Sequence, residues 1–391
     1  MSAALLVANA GSTSLKLAVY ELAERAGRLD LRIRARAEGF GDRPRWTLET
    51  RDGVRRAGDL PPGAGHEAAF ARLLPLIEEA LDGVAPVAAG HRVVHGGGLF
   101  TEPVRITPEV LAELARLAPL APKHQPHNLA AVRALAAARP GLLQVACFDT
   151  AFHARQSWSA RQTGLPRSFA ERGLLRYGFH GLSYQSVVER FAAVTGTPLP
   201  ERLVIAHLGG GCSLCAVRAG TSVATTMGFS PLDGVPMATR SGSVDPGLLI
   251  HLLREEGMSV EELDALLNHR SGLLGMSGIS GDMRQLLASD DPRAAEAVDW
   301  FCERVHQALA AMAAALGGLD GLVFTGGIGE GAAPVRARIL TLAAWLGFAL
   351  DEAANARGGP TLTLPESRLR AWVVPSDEEG VIARAVAPWL G

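Results

Sequence analysis

Residues 4–8, ALLVA, are an unbroken apolar run that predicts a buried strand, NAGSTS at 9–14 predicts a tight turn, and LKLAVYEL at 15–22 alternates as the returning strand of a β-hairpin. The pattern recurs. Without gaps and at an offset of 198, Ala8-Asn9-Ala10-Gly11 aligns with Ala206-His207-Leu208-Gly209, and Leu17-Ala18-Val19 with Cys215-Ala216-Val217. Four identities in twelve positions are few. Two hairpins around glycine-containing turns, half a chain apart, nevertheless favour a duplicated domain.

Between the copies, Arg28–Arg56 is charged and broken and suggests further strands of the first sheet. The spacing then predicts a helix over His66–Leu81, a strand over Val87–Val94, and helices over Leu111–Leu117 and Asn128–Ala138, the second after a turn at Pro126. Leu142–Phe148 is a buried strand ending in Asp149. Beyond the second hairpin, Ser243–Glu256 and Ser259–Leu267 are expected to be helical, and Pro292–Leu316 a long Ala-rich helix. Gly321–Thr325 predicts a strand running into a glycine-rich turn, Gly326–Gly329. The last pattern is a strand over Arg370–Val374, a turn and a helix over Glu379–Trp389. Strands alternating with helices argue an α/β fold, with mixed sheets because hairpins are present.

Composition narrows the function. A chain of 391 residues exceeds what one core usually covers, so two domains are expected. Lys plus Arg at 38 against Asp plus Glu at 40 leaves a formal charge of −2, which excludes a broad nucleic-acid face or a polybasic membrane anchor as the default reading. Only two lysines, Lys16 and Lys123, occur among those 38 basic residues, which draws attention to what a compact ammonium does at each. Four cysteines do not make a disulfide framework and suit a reducing compartment. Cys212 and Cys215 form a lone C-x-x-C, read as two buried thiols in a strand rather than a metal site. The start lacks a charged signal-peptide region, and the longest apolar run, Ala308–Leu319, has 12 residues against the roughly 18 a bilayer span needs. A soluble cytoplasmic protein is expected.

Three glycine-rich turns follow apolar strands: NAGSTS (9–14), HLGGGCS (207–213) and TGGIGEG (325–331). Glycines let backbone N–H groups approach phosphate oxygens, and the hydroxyls of Ser12 and Ser14 and the ammonium of Lys16 add donors. None is G-x-x-x-x-G-K-[ST], and none is a clean strand–GxGxxG–helix unit. One such turn is more often structural; three, two of them on repeated hairpins, point to nucleotide phosphates. Arg92, Asp149, His180 and Arg240 all lie in apolar or glycine-rich settings. A carboxylate at a strand's carboxyl end sits where α/β sheets bind ligands, and two arginines with a histidine suit an anionic transferring phosphoryl group. Taken singly, each has a bland reading as a cap, a surface ion pair or a core histidine.

Together, ANAGSTSLK, HRVVHGG, PLAPKH, FDTAFH, YGFHG, HLGGGCS, TRSG, SGDMR, FTGGIGEG and SDEEG resemble the acetate kinase family in order and across nearly the whole chain. The resemblance implies a duplicated ribonuclease-H-like fold of the sugar kinase, actin and heat-shock ATPase superfamily, with nucleotide between its domains. Residues 1–149 plus 378–391 would form the N-terminal domain and 150–377 the C-terminal one. It implies reversible transfer of the ATP γ-phosphate to acetate or propionate with Mg²⁺, giving an acyl phosphate and ADP, in a homodimer.

By the same resemblance, Asn9 and Glu378 match the metal positions, with Glu379 adjoining; Lys16 matches a phosphate contact, Arg92 the carboxylate binder and Asp149 the catalytic acidic residue. His180 and Arg240 match the residues that stabilise the transferring phosphoryl, and His124 a nearby active-site histidine. His207, Leu208, Gly209, Gly210 and Gly211 match the phosphate loop. Asp282, Met283 and Arg284, with Gly327, Ile328, Gly329, Glu330 and Gly331, match the adenosine-binding segments. Val94, Phe179 and Pro231 match the pocket for the alkyl end of the acid.

The chain departs from the family at Lys123-His124-Gln125, where Leu-His-Asn is usual, and at Ser243, where Asp is usual. The first touches the acyl pocket, where the Lys123 stem is expected to pack and its ammonium to reach water. The second is expected to loosen the support of Arg240. Neither Arg92 nor Arg240 is expected to matter for folding. A kinase for a longer acid such as butyrate is the nearest alternative. An actin-like or chaperone-like ATPase would want an added partner-binding module, and a sugar-sensing repressor a helix-turn-helix ahead of the first hairpin.

Overall fold

The computed structural model describes residues 3–22 and 29–390. Residues 1, 2 and 391, at the ends of the expected N-terminal domain, and Arg28, at the start of the charged stretch, lie outside the described residues. The chain divides into two compact units, Met1–Ala151 with Asp377–Gly391, and Phe152–Ser376.

The first unit is built on strands β1 (Ala3–Ala10), β2 (Ser14–Leu22), β3 (Leu29–Glu38), β4 (Arg45–Thr50), β5 (Arg55–Asp59), β6 (Pro86–Val93), β7 (Val104–Arg105) and β8 (Leu143–Phe148), in the order β5-β4-β3-β2-β1-β6-β8-β7. The second holds β9 (Arg202–Leu208), β10 (Cys212–Arg218), β11 (Thr221–Thr225), β12 (Gly321–Thr325) and β13 (Arg370–Val373), in the order β11-β10-β9-β12-β13. The central five strands of the first sheet, β3-β2-β1-β6-β8, follow the same plan as the whole of the second. In each, three antiparallel strands are followed by two parallel to the first. The fold is mixed α/β with an internal duplication.

The duplication is not gapless. In the first hairpin Ala10 pairs with Leu15 and Asn9 with Lys16, whereas in the second Leu208 pairs with Cys212 and His207 with Ser213. The second turn is one residue shorter. Because side chains alternate along a strand, a one-residue slip moves each to the opposite face, so Ser213 is the counterpart of Lys16, and Leu214, not Cys215, that of Leu17.

Helices cover both sheets. Helix His66–Ala80 places Phe70, Leu73, Leu74 and Ile77 on one face, and with Leu135 of helix Gln125–Ala138 they pack over Leu6, Val19, Ile33 and Trp46. Helix Glu378–Val386 lies against β1 and β6, where Gly90 leaves room for Ile382. In the second unit, Tyr184, Val187 and Phe191 of helix Gly181–Thr195 share a core with Leu203, Ile205, Val323 and Trp372.

Two local expectations are corrected. Pro126 is not a turn ahead of a helix but lies in the first turn of Gln125–Ala138, where its missing N–H costs no hydrogen bond. Gly326–Gly329 is not a turn but the start of helix Gly326–Gly331, entered directly from β12. Gly326 has φ of +77°, and a Cβ there would sit 2.7 Å from the Leu208 carbonyl, so only glycine makes this entry. Cys212 and Cys215 are free, buried thiols in β10, and burial pushes both up to about 12.

Candidate active site

In the first unit β1, β6 and β8 run parallel, so their carboxyl ends lie side by side. They carry Asn9, Arg92 and Asp149, and Glu378 joins them as the first residue of helix Glu378–Val386. Arg92 Nε donates to both Asp149 oxygens at 3.1 Å and Nη2 donates to Oδ2 at 2.6 Å. Nη1 reaches Asn9 Oδ1 at 3.3 Å, and Nε lies 3.8 Å from the Glu378 carboxylate. Burial works against the charge on Arg92, but Asp149 and then Glu378 outweigh it and hold the guanidinium ionised. Since Asp149 is 2% exposed, Arg92 also neutralises a buried carboxylate, which argues against the expectation that it is unimportant for folding.

Glu378 is pushed well above the usual carboxylate range, first by burial and then by Asp149 and Glu379, against the pull of Arg92 and Lys16. It is thus a carboxylate only 18% exposed and short of positive charge. The Asn9 amide oxygen and the Glu378 carboxylate are hard oxygens that fit Mg²⁺. Among the described residues no group of three His, Cys, Asp or Glu is placed to hold a metal ion by itself. Lys16, on β2 opposite Asn9, is exposed, as is Ser12 in the turn, while Ser14 begins β2.

Sequence reasoning missed the residues that hold this corner together. Asn128 donates to the Ala10 carbonyl at 2.7 Å and accepts from Val94 N at 3.0 Å, tying the end of β1 to the chain after β6. Gln125 is fully buried, donates to the carbonyls of His95 and Leu114 and accepts from His95 N. The signal was polar residues interrupting the apolar face of QPHNLAAV. Lys123 and His124 are half-buried in the turn before this helix, with the His124 carbonyl accepting from Asn128 N at 3.1 Å. Val94 is buried.

In the second unit the His180 and His207 rings stack at 4.2 Å between centroids. His180 Nδ1 is 2.8 Å from Ser213 Oγ, itself hydrogen-bonded to the buried Tyr184 hydroxyl, and His207 Nδ1 is 2.8 Å from Ser183 Oγ. His180 has φ of +59°, an uncommon conformation for a residue with a side chain, and it starts helix Gly181–Thr195. A Cβ on Gly211 would meet Arg240 Nη2 at 2.7 Å and His180 Nε2 at 3.1 Å, so glycine lets both side chains close on the loop. Arg240 Nη1 donates to the Pro231 carbonyl at 2.6 Å.

The Pro231 loop is braced by Asp233, which pairs with Arg176 at 2.9 Å and accepts from Ser243 Oγ at 2.5 Å. Ser243 thereby braces the loop that orients Arg240. Phe179 is buried and Pro231 half-buried.

A cavity of about 440 Å³ in this unit is lined by Gly210, Asp282, Met283, Arg284, Gly327 and Gly331 among others. It brings together the phosphate loop and both segments expected to hold adenosine, and Ile328 and Gly209 also line it. Gly210, Gly327 and Gly331 face open space, leaving their backbone accessible. Leu208 and Met283 are buried. Gly329 is buried too, and the Glu330 carboxylate turns back onto Thr325, Gly326 and Ser376.

Residues 4–384 match the acetokinase family. The acetate kinase of Rhodopseudomonas palustris (strain TIE-1) is 49% identical over 390 residues, covering 99% of this chain and 98% of the relative. That of Rhizobium meliloti is 45% identical, with 97% of each covered. Among solved structures, the acetate kinase of Porphyromonas gingivalis superposes with a TM-score of 0.88 at 33% identity over 100% of both chains. A propionate kinase of Francisella tularensis superposes at 0.91 with 34% identity over 98% of both.

Proposed function

The chain belongs to the acetokinase family, and from that premise we propose how its two clusters divide the phosphorylation of acetate or propionate by ATP. The observation that carries the reading is the Arg92–Asp149 pair beside Asn9 and Glu378. A carboxylate substrate is a weak nucleophile but is already deprotonated near neutral pH, so the site needs charge neutralisation and alignment rather than a strong base. Arg92 binds the substrate carboxylate. Asp149, whose oxygens are taken up by Arg92, orients that guanidinium and does not remove a proton.

Asn9 and Glu378 would hold Mg²⁺, which would neutralise charge on the phosphate oxygens. Glu378, rather than Glu379, is the metal carboxylate because it is the one placed beside Arg92. The glycines at 209–211 and 327–331 with Asp282–Arg284 receive the nucleotide, with Lys16, Ser12 and Ser14 as further phosphate donors. His180 and Arg240 stabilise the charge on the transferring phosphoryl, and His124 assists nearby. Val94 and the Lys123 stem in the first unit, and Phe179 and Pro231 in the second, are the apolar residues assigned to the alkyl group.

A homodimer fits helix Pro246–Arg254, which buries none of its residues and exposes Leu248, Ile250 and Leu253. We place the enzyme in the cytoplasm, because four free cysteines suit a reducing compartment. Among the described residues no helix is long and apolar enough to cross a membrane. Trapping acyl phosphate with hydroxylamine tests the activity, using ATP, Mg²⁺ and a panel of acids. Hydroxamate with acetate and propionate is the expected result; none with any acid refutes the kinase reading, and product only with butyrate or longer acids refutes the substrate.

A further inference from the structure

Helix Gly326–Gly331 is held at both ends by side chains that do not line the cavity. At its carboxyl end Arg336, 1% exposed, donates from Nη1 to the carbonyls of Gly329 and Glu330 at 3.0 and 2.8 Å. Its Nε and Nη2 go to the side chain and backbone of Asn355 at 2.9 and 2.7 Å. At the amino end three donors meet on one atom, Glu330 Oε1: Gly326 N at 2.9 Å, Thr325 Oγ1 at 3.3 Å and Ser376 N at 3.2 Å. Ser376 lies well outside the helix in sequence, at the last position of the second unit. The next residue, Asp377, caps helix Glu378–Val386 by accepting from Gly380 N at 3.1 Å, and Glu378 is that helix's first residue.

We propose that Glu330 is a positioning residue that links nucleotide binding to metal binding. One carboxylate oxygen fixes both the glycine helix that lines the cavity and the chain two residues before Glu378. Nucleotide settling on the glycine helix therefore favours the placement of Glu378 that holds the metal, and by reciprocity the metal favours the nucleotide. A simple helix cap would need only Gly326; the bond to Ser376 is what couples the two segments. The inference rests on the metal and nucleotide assignments above.

The test is calorimetric ADP binding with Mg²⁺ and with EDTA, read as the ratio of the two affinities. In the unsubstituted protein Mg²⁺ should tighten ADP; no enhancement there defeats the metal assignment itself. Glu330→Ala should cut the enhancement by at least ~fivefold, a typical coupling between linked sites. Glu330→Gln keeps a carbonyl oxygen for the three donors and should retain it within about twofold. Ser376→Pro removes the single N–H outside the helix and should reproduce the Glu330→Ala loss, which keeps the question answerable if Glu330→Ala does not fold. An unchanged ratio in Glu330→Ala or Ser376→Pro, or an equal loss in Glu330→Gln, overturns the proposal.

Discussion

The Arg92 guanidinium grips Asp149 through both Nε and Nη2, and Asp149 is 2% exposed. In the proposed mechanism one pair of residues thus serves stability and substrate binding at once. Removing the arginine leaves a buried carboxylate uncompensated, so Arg92→Ala should destabilise the protein by about 3–5 kcal/mol. Urea unfolding measures this, and a midpoint equal to that of the unsubstituted protein would show the pair to be energetically idle. Turnover should fall by on the order of 10³ or more, measured at a temperature where the variant is folded.

Arg240 separates the two roles. It is held through the Pro231 carbonyl, a neutral acceptor whose loss of a donor costs far less than a stranded buried carboxylate. Arg240→Ala should lose on the order of 10³ in kcat while its circular dichroism and urea midpoint stay close to those of the unsubstituted protein. Near-normal turnover would remove Arg240 from the mechanism.

Lys123, half-buried beside His124, should bear modestly on acid choice. Because a lysine stem can cover apolar surface much as leucine does, Lys123→Leu should change kcat/KM for acetate by less than about tenfold, or about 1.4 kcal/mol. Acetate and propionate should remain better than butyrate and succinate. A native preference for succinate that disappears in Lys123→Leu would show that the ammonium reads the substrate.

His91 and His95 predict acid sensitivity. Burial lowers both to about 4, with the His91 hydrogen bond to Gln144 opposing the shift. A histidine whose folded pKa lies below its unfolded value contributes stability that is present in full above about 6.5 and is lost as pH falls from there towards 4. Each should cost about 1.4 kcal/mol per pH unit within that window. Stability measured by denaturant titration should therefore fall between pH 7 and 4, and His91→Gln should remove about half of the contribution of the His91 and His95 pair. An unchanged slope in that variant would assign the acid sensitivity elsewhere.

Much of this was legible along the chain. Apolar runs and turn residues marked β1, β2, β6, β8, β9, β10 and β12, because buried strands need continuous or alternating apolar side chains. The repeat was visible, and the motif residues Arg92, Asp149, His180 and Arg240 stood out against their apolar or glycine-rich neighbours. Helix Gly181–Thr195 has no counterpart among the elements expected from sequence, although Tyr184, Val187 and Phe191 mark its buried face, since the glycine-rich YGFHG segment before it reads as a loop.

What the sequence by itself determined was the pattern: two hairpin-led α/β halves and the residue types for phosphoryl transfer. Tertiary structure decided partnership. Only folding shows that Asp149 is bound by Arg92, since they are 57 residues apart and meet because β6 and β8 are parallel neighbours. Only folding shows that the second hairpin turn is a residue shorter. Ser213 therefore stands opposite His207 where the gapless alignment would put Leu214, because pairing register is fixed by which face each side chain buries. The gathering of Glu330 and Ser376 on one oxygen, 46 residues apart, likewise follows from β12 and β13 running side by side, a long-range pairing that no local pattern encodes.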